Sequence, residues 1–261
     1  MAIEQLTATT LAGFVDAVAD LRKRWSEPEW VEPWFRGQRR AEWPLLPGPL
    51  RVPEDDFVLA TEDEFRDEFQ RRGSQLIAGK QPVDKWEWYF TMQHYGSPTR
   101  LLDWTDGALL ALYFAIGRSD GSADAAVWVL DPFWLNRHFH NNDSIFLPHW
   151  DAADAFLREI YTGGHRFPDM PAAIDPPHLS HRFGAQRSHF TIHGNKPFDL
   201  ATVCEELADP RLVKITIAAQ GIRIMKKDLR TCGIVETTIF PDLEGLSREL
   251  TAAYATEWIE D

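Results

Sequence analysis

The chain has 261 residues, 44% hydrophobic and 26% charged, the make-up of a globular protein able to bury one large core or two small ones. Its formal net charge of -13 argues against nonspecific coating of DNA or acidic membranes, while a local basic patch could still hold a phosphate. No apolar run approaches the roughly 18 residues of a membrane span, and MAIEQLTATTLAGF lacks the basic start and long apolar core of a secretory signal. Cys204 and Cys232 show no CxxC spacing, so the expectation is a cytoplasmic protein without a disulfide framework or a membrane partner.

Residues 10–25 read as a helix, with Leu11, Phe14, Val15, Val18 and Leu21 at spacings of three and four and Thr9 or Thr10 as cap. WFRGQ, residues 34–38, reads as a short strand entering a tight turn. Pro44, Pro47 and Pro49 exclude regular structure after it. Helical spacing resumes over 54–78, with Phe57, Phe65, Phe69, Leu76 and Ile77 on the apolar side and Gly79 as the stop. A further aromatic-rich helix is predicted over 84–95. Thr99–Thr105 reads as extended, so Thr99, Leu101, Asp103 and Thr105 face one way and Arg100, Leu102 and Trp104 the other.

Asp106–Ile116 is apolar nearly all round, which predicts a buried helix capped by Thr105 or Asp106. AAVWVL, residues 125–130, reads as a buried strand stopped at Asp131-Pro132. Residues 133–180 read as a long, partly irregular surface excursion with one helix near 151–160. Strands follow at 189–193 and 212–217, then a helix at 219–231 ended by Gly233. A turn and a last helix complete the chain, with Asp242 as cap and Glu244 in the first turn. Helices come mostly first and strands later, and no repeat or flexible linker interrupts the run. The expected fold class is a single α+β domain spanning 1–261 with a helical N-terminal part.

Four segments carry polar groups suited to chemistry. Arg36 offers a planar, permanently charged fork for phosphate or carboxylate, Gly37 removes a side chain from its approach, and Gln38 adds an amide. The same run would also suit a surface strand end with its arginines paired to acids. MQHYGSPTRLLDWT packs His94, Arg100, Asp103 and Thr105 beside the apolar helix, where polar groups must find partners. An Arg100–Asp103 lock is the structural alternative there. Gln186 lies between a small-residue turn and a strand, and Asp242 follows a proline. The pairs His138/His140, His178/His181 and His189/His193 are partial ligand sets only, and no metal site is expected. No GxxxxGK[ST] loop or GxSxG elbow is present.

Taken together, WFRGQ, QHYGSPTRLLDWTDGALLALYFA, AQRSHFTIHG and IFPDLEGL resemble the FRG domain family, named for a Phe/Tyr-Arg-Gly motif, over roughly residues 30–250. The order of these pieces is also similar to the ADP-ribosyltransferase fold, which implies a split sheet and NAD as substrate. By that resemblance Arg36, Gly37 and Gln38 would hold NAD, and Asp103, Trp104 and Thr105 would stand at the family's Ser/Thr element. Gln186 would take the place of the usual catalytic Glu. Glutamine can hold the 2′-hydroxyl of the ribose but supplies no charge, so Asp103, Glu236 or Asp242 would have to supply it. His94 is the candidate base toward an acceptor, and Arg100 a candidate contact to that substrate. The resemblance implies ADP-ribosylation of a macromolecule, a nucleic-acid base or a protein. A non-catalytic nucleotide- or partner-binding module is the alternative, and a hydrolase using His94 and Asp103 the third.

Overall fold

A computed structural model describes residues 2–25, 32–51, 57–77, 79, 81–157, 168–176, 187–194 and 196–254. The architecture is mixed α/β around one seven-stranded sheet in the order β1-β7-β4-β2-β3-β6-β5. The strands are β1 (Glu4–Ala8), β2 (Trp34–Gln38), β3 (Leu101–Thr105), β4 (Ala125–Leu130), β5 (Ala172–Ile174), β6 (Ser188–Ile192) and β7 (Leu212–Ile217). Only β1 and β7 run parallel; the other pairings are antiparallel. The helices, in chain order, are α1 (Leu11–Arg24), α2 (Phe57–Gly73), α3 (Lys85–His94), α4 (Ala108–Ile116), α5 (Pro132–His140) and α6 (Asp151–Asp154). They continue as α7 (Leu200–Glu205), α8 (Ala219–Thr231), α9 (Glu236–Ile239) and α10 (Leu243–Tyr254). The chain therefore opens on a strand, and strands and helices interleave, which corrects the expected helical N-terminal part.

Period-two alternation sorts the sheet's side chains into two faces. On one face Phe35, Val127, Val129, Val213 and Ile215 pack under α1, α4 and α8. Farther along that face Leu101, Phe190 and Ile192 pack with Trp86, Tyr89 and Phe90 of α3. The opposite face buries Trp34, Leu102, Trp104, Trp128 and Leu130 against Trp134 and Leu135 of α5 and Leu200 of α7. All six residues of β4 are buried because both faces are covered.

Most expected elements form where the pattern puts them. Thr10 caps α1 through Gly13 N–H at 3.1 Å. Asp242 accepts from Gly245 N–H at 2.7 Å, the N-terminal bond predicted for it. In α4, Ala111, Leu112, Ala115 and Ile116 are fully buried, while Leu109 and Phe114 are half-buried. Its N-cap is Gly107, not Thr105 or Asp106; the Thr105 hydroxyl instead accepts from Gly107 N–H at 3.1 Å.

Two expectations fail in part, for physical reasons. In α2 the predicted apolar side holds at Phe69, which packs against Trp88, but not at Leu76 or Phe65: Leu76 beyond the helix is 83% exposed and Phe65 39%, whereas Glu62, Asp63 and Arg66 are buried. The buried charge of Arg100 explains the reversal, since it needs a carboxylate and α2 supplies Glu62. The described part of the stretch after β4 has the helix expected at Asp151 but is not all surface excursion. Asp131 caps α5, accepting from Phe133 and Trp134 N–H at 3.0 Å, with Pro132 at the position a helix tolerates it. Phe146, Phe156 and all of β5 are buried. Residues 158–160 of the predicted 151–160 helix lie outside the described residues.

Candidate functional site

The sheet parts between β2 and β3. These strands pair only at Phe35 and Thr105, and the next pairs along that register, Arg36 with Trp104 and Gly37 with Asp103, are not made. Arg36 spans the gap: its Nη1 donates to the Asp103 carbonyl at 2.7 Å and lies 3.6 Å from the Asp103 carboxylate. A side chain thus ties the strands where the backbone ladder stops. The cleft that opens there, about 410 Å³, lies beside α4 and the end of α3.

Three guanidiniums line it, from Arg36, Arg39 and Arg51, together with Trp43, Phe114 and Phe240. Asp103 is its only acidic residue among the described ones; its side chain is 59% exposed and accepts from Gln93 Nε2 at 2.9 Å. His94, half-buried at the C-terminal end of α3, lines the same cleft edge-on to Tyr95. Burial holds the Arg36 guanidinium below its usual pKa, Asp103 opposing that and Arg51 adding to it. Its Nε has no hydrogen-bond partner among the described residues.

Arg36, Asp103 and His94 line one cleft, with Gly37, Gln38, Trp104 and Thr105. Several of these do other work than the sequence suggests. A Cβ on Gly37 would stand 2.1 Å from the Ala111 carbonyl oxygen and 2.6 Å from Ala115 N, so the clearance admits α4 rather than a ligand. Gln38 is buried and spent, donating to Pro44 O at 3.1 Å and accepting from Trp128 Nε1 at 2.8 Å. Trp104 is buried on the opposite face and donates to Thr191 Oγ1 at 3.0 Å. Gln38 and Trp104 thus hold structural bonds in the core while they line the cleft.

Arg100 is corrected. It is 1% exposed, outside the cleft, and its donors are taken by Glu62 at 2.7 Å, the His193 carbonyl at 2.7 Å and the Phe156 carbonyl at 2.6 Å. Tyr89 completes the lock, donating its hydroxyl to Glu62 while accepting from Arg100 N–H. Burial alone would lower the Arg100 pKa, but Glu62 and Tyr89 leave it raised. The structural reading of Arg100 holds, with Glu62 as partner in place of Asp103.

Gln186 lies outside the described residues; Ser188, two positions on, lines the cleft. Glu236 is committed elsewhere, to Tyr113, Arg248 and, at 3.6 Å, Arg118. Burial raises its pKa, yet these donors hold it below the usual carboxylate range. Among the described residues no three His, Cys, Asp or Glu side chains gather closely enough for a metal. His138 and His140 meet backbone carbonyls of Trp134 and Pro171, and His189 meets Asp175 at 2.6 Å; His178 and His181 are outside the described residues. Sequence reasoning passes over Gln93, Arg51 and Phe240, whose role depends on where three separate loops and helices meet.

Fold and cleft together define a mixed α/β domain with an arginine-lined cleft at a parting of its sheet. Residues 32–124 match the FRG domain. The matched segment runs from β2 to the residue before β4 and contains every cleft-lining residue except Ser188, Phe190 and Phe240. No curated protein matches the chain, and no solved structure does. Among the described residues, no helix is long and apolar enough to cross a membrane.

Proposed function

We propose that the cleft binds NAD and that the protein is an ADP-ribosyltransferase-like enzyme modifying a macromolecule. The observation that carries this reading is the composition of the cleft: three guanidiniums and aromatic rings around a single exposed carboxylate, at a parting of the sheet. Arg36 and Arg51 suit the two phosphates of a dinucleotide, and Phe114 and Phe240 suit its base. The split between β2 and β3 is what the resemblance to the ADP-ribosyltransferase fold implies.

In this reading the bond from C1′ of the ribose to nicotinamide breaks, and nicotinamide leaves with the electron pair. Positive charge develops on the ribose, and Asp103 is the carboxylate available to stabilise it. Glu236 and Asp242 are not, being held by Tyr113 and Arg248 and by the start of α10. The acceptor forms its bond to C1′ and gives up its proton to His94. Arg36 keeps Asp103 in place through the carbonyl bond.

A second reading, a nucleotide-binding module without catalysis, is favoured by the ion pair between Arg36 and Asp103, which offsets part of the carboxylate's charge. Two measurements separate them. Calorimetric titration of NAD into wild type and Arg51→Ala should show a loss of about ten- to a hundredfold, the value of one charge-assisted contact of about 1.5–3 kcal/mol. Nicotinamide release by wild type, lost in Asp103→Asn with NAD affinity kept, supports the enzyme. NAD binding without release, in the presence of nucleic acid and protein acceptors, supports the module. Unchanged NAD affinity in Arg51→Ala, Arg39→Ala and Arg36→Lys overturns both.

A further inference from the structure

Beside the cleft lies a second groove of about 290 Å³, lined by Arg39, Arg40, Trp43, Arg118, Ser119 and Asp120 among others. Arg39 and Trp43 belong to both depressions, so the two are continuous. We propose that this groove is an acceptor track for single-stranded nucleic acid, a proposal that rests on the NAD reading of the cleft for its chemistry but not for its binding test.

The charge distribution argues for a polyanion. Cleft and groove together carry Arg36, Arg39, Arg40, Arg51 and Arg118, in a chain whose net charge is -13. The groove's acid, Asp120, is turned back on its own loop, accepting from Ser122 N–H at 2.9 Å and the Ser122 hydroxyl at 2.6 Å. Arg40 and Arg118 each stand 3.6 Å from a carboxylate, Glu42 and Glu236, with side chains 50% and 62% exposed. The Arg40 pair is exposed on both sides and weak, and Glu236, 11% exposed, is already bonded to Tyr113 and Arg248, so both exposed guanidiniums can turn to phosphate oxygens.

The aromatic group decides which polyanion. Trp43 is half-buried, with the Arg39 guanidinium 5.6 Å over its ring, a platform on which a base can stack beside a phosphate contact. A duplex keeps its base faces stacked inside, and an acidic peptide has no flat ring to match. A single strand offers both groups at once. Its phosphates would follow Arg118, Arg40 and Arg39, and one base would pass Trp43 into the cleft toward His94. There a base nitrogen would form the bond to C1′ as nicotinamide departs, its N–H proton passing to His94.

The test is fluorescence anisotropy of labelled oligothymidylate and oligouridylate, without NAD, across a salt series. Wild type should bind, more weakly as salt rises, and bind the matching duplex less well. Arg40→Ala with Arg118→Ala should weaken binding and flatten the salt dependence by about one unit of slope per arginine. Trp43→Ala should weaken it by about tenfold with the salt slope kept, and Trp43→Phe should restore part of the loss. Thermal melts check folding, and NAD titration of the Arg40/Arg118 variant should match wild type. Absence of oligonucleotide binding at low salt, with NAD binding intact, overturns the track and leaves the NAD reading standing. Equal binding of polyglutamate overturns it in favour of an acidic protein acceptor.

Discussion

Gly37 and Arg36 are adjacent in sequence and serve different neighbours. Arg36 turns to the Asp103 carbonyl across the gap in the sheet, while the bare Cα of Gly37 lets α4 lie against β2. The two nearest atoms an added methyl would meet, Ala111 O and Ala115 N, are backbone, so neither can swing away. Gly37→Ala should therefore cost at least the ~1–3 kcal/mol of overpacking and shift α4 against the sheet. Urea denaturation measures the cost; stability equal to wild type would mean the helix sits farther from β2 than described. The Arg36 side chain is 17% exposed and already bound at one nitrogen, so its part in ligand binding is best read through Arg36→Lys, which keeps the charge and loses the fork.

At the scale of elements, the sequence is most legible where one pattern settles the answer. Six consecutive buried residues make β4, and nine apolar ones make α4. Leu112→Ala, at a site with no exposure, should cost about 2–5 kcal/mol by urea denaturation. Legibility fails where a distant charge decides. Phe65 and Leu76 read as the inner side of α2, yet the inner side is Glu62, because Arg100 sits buried on the other side of that contact. No local period reveals a partner 38 positions away. Glu62→Gln should cost about 3–5 kcal/mol, since it leaves a buried guanidinium without its counter-charge. A smaller loss in that variant than in Leu112→Ala would place α2 at the margin of the fold's stability.

The candidate site was legible to the same degree. Arg36, Asp103 and His94 come together where β2, β3 and the end of α3 meet. Gln38, Trp104 and Arg100 carry equally suggestive side chains, and burial claims all three. Spacing in sequence cannot tell these cases apart, since the difference is which strand face each residue takes and what α2, β6 and the loop at Pro44 bring against it.

For the whole molecule, His193 contributes to the loss of stability in acid. It is 1% exposed, and burial, with Arg36 and Arg100 nearby, pushes its pKa down to about 3 from an ordinary 6.5. The unfolded chain takes up a proton below about pH 6.5 while the folded one does not, so stability is full above that pH and falls as pH drops toward about 3. His140, held low by burial, adds in the same direction. His193→Gln should flatten the dependence of urea stability on pH between those limits, and an unchanged slope would point to carboxylates instead. The strand order has another outcome, in time rather than energy. Glu4 of β1 pairs with Val213 of β7, 209 positions later. At about 5–20 residues per second on the ribosome, β1 waits roughly 10–40 s for its partner to be made. The edge of the sheet thus stays open until β7 follows, and a nascent chain carries β1 without its partner across those 209 positions.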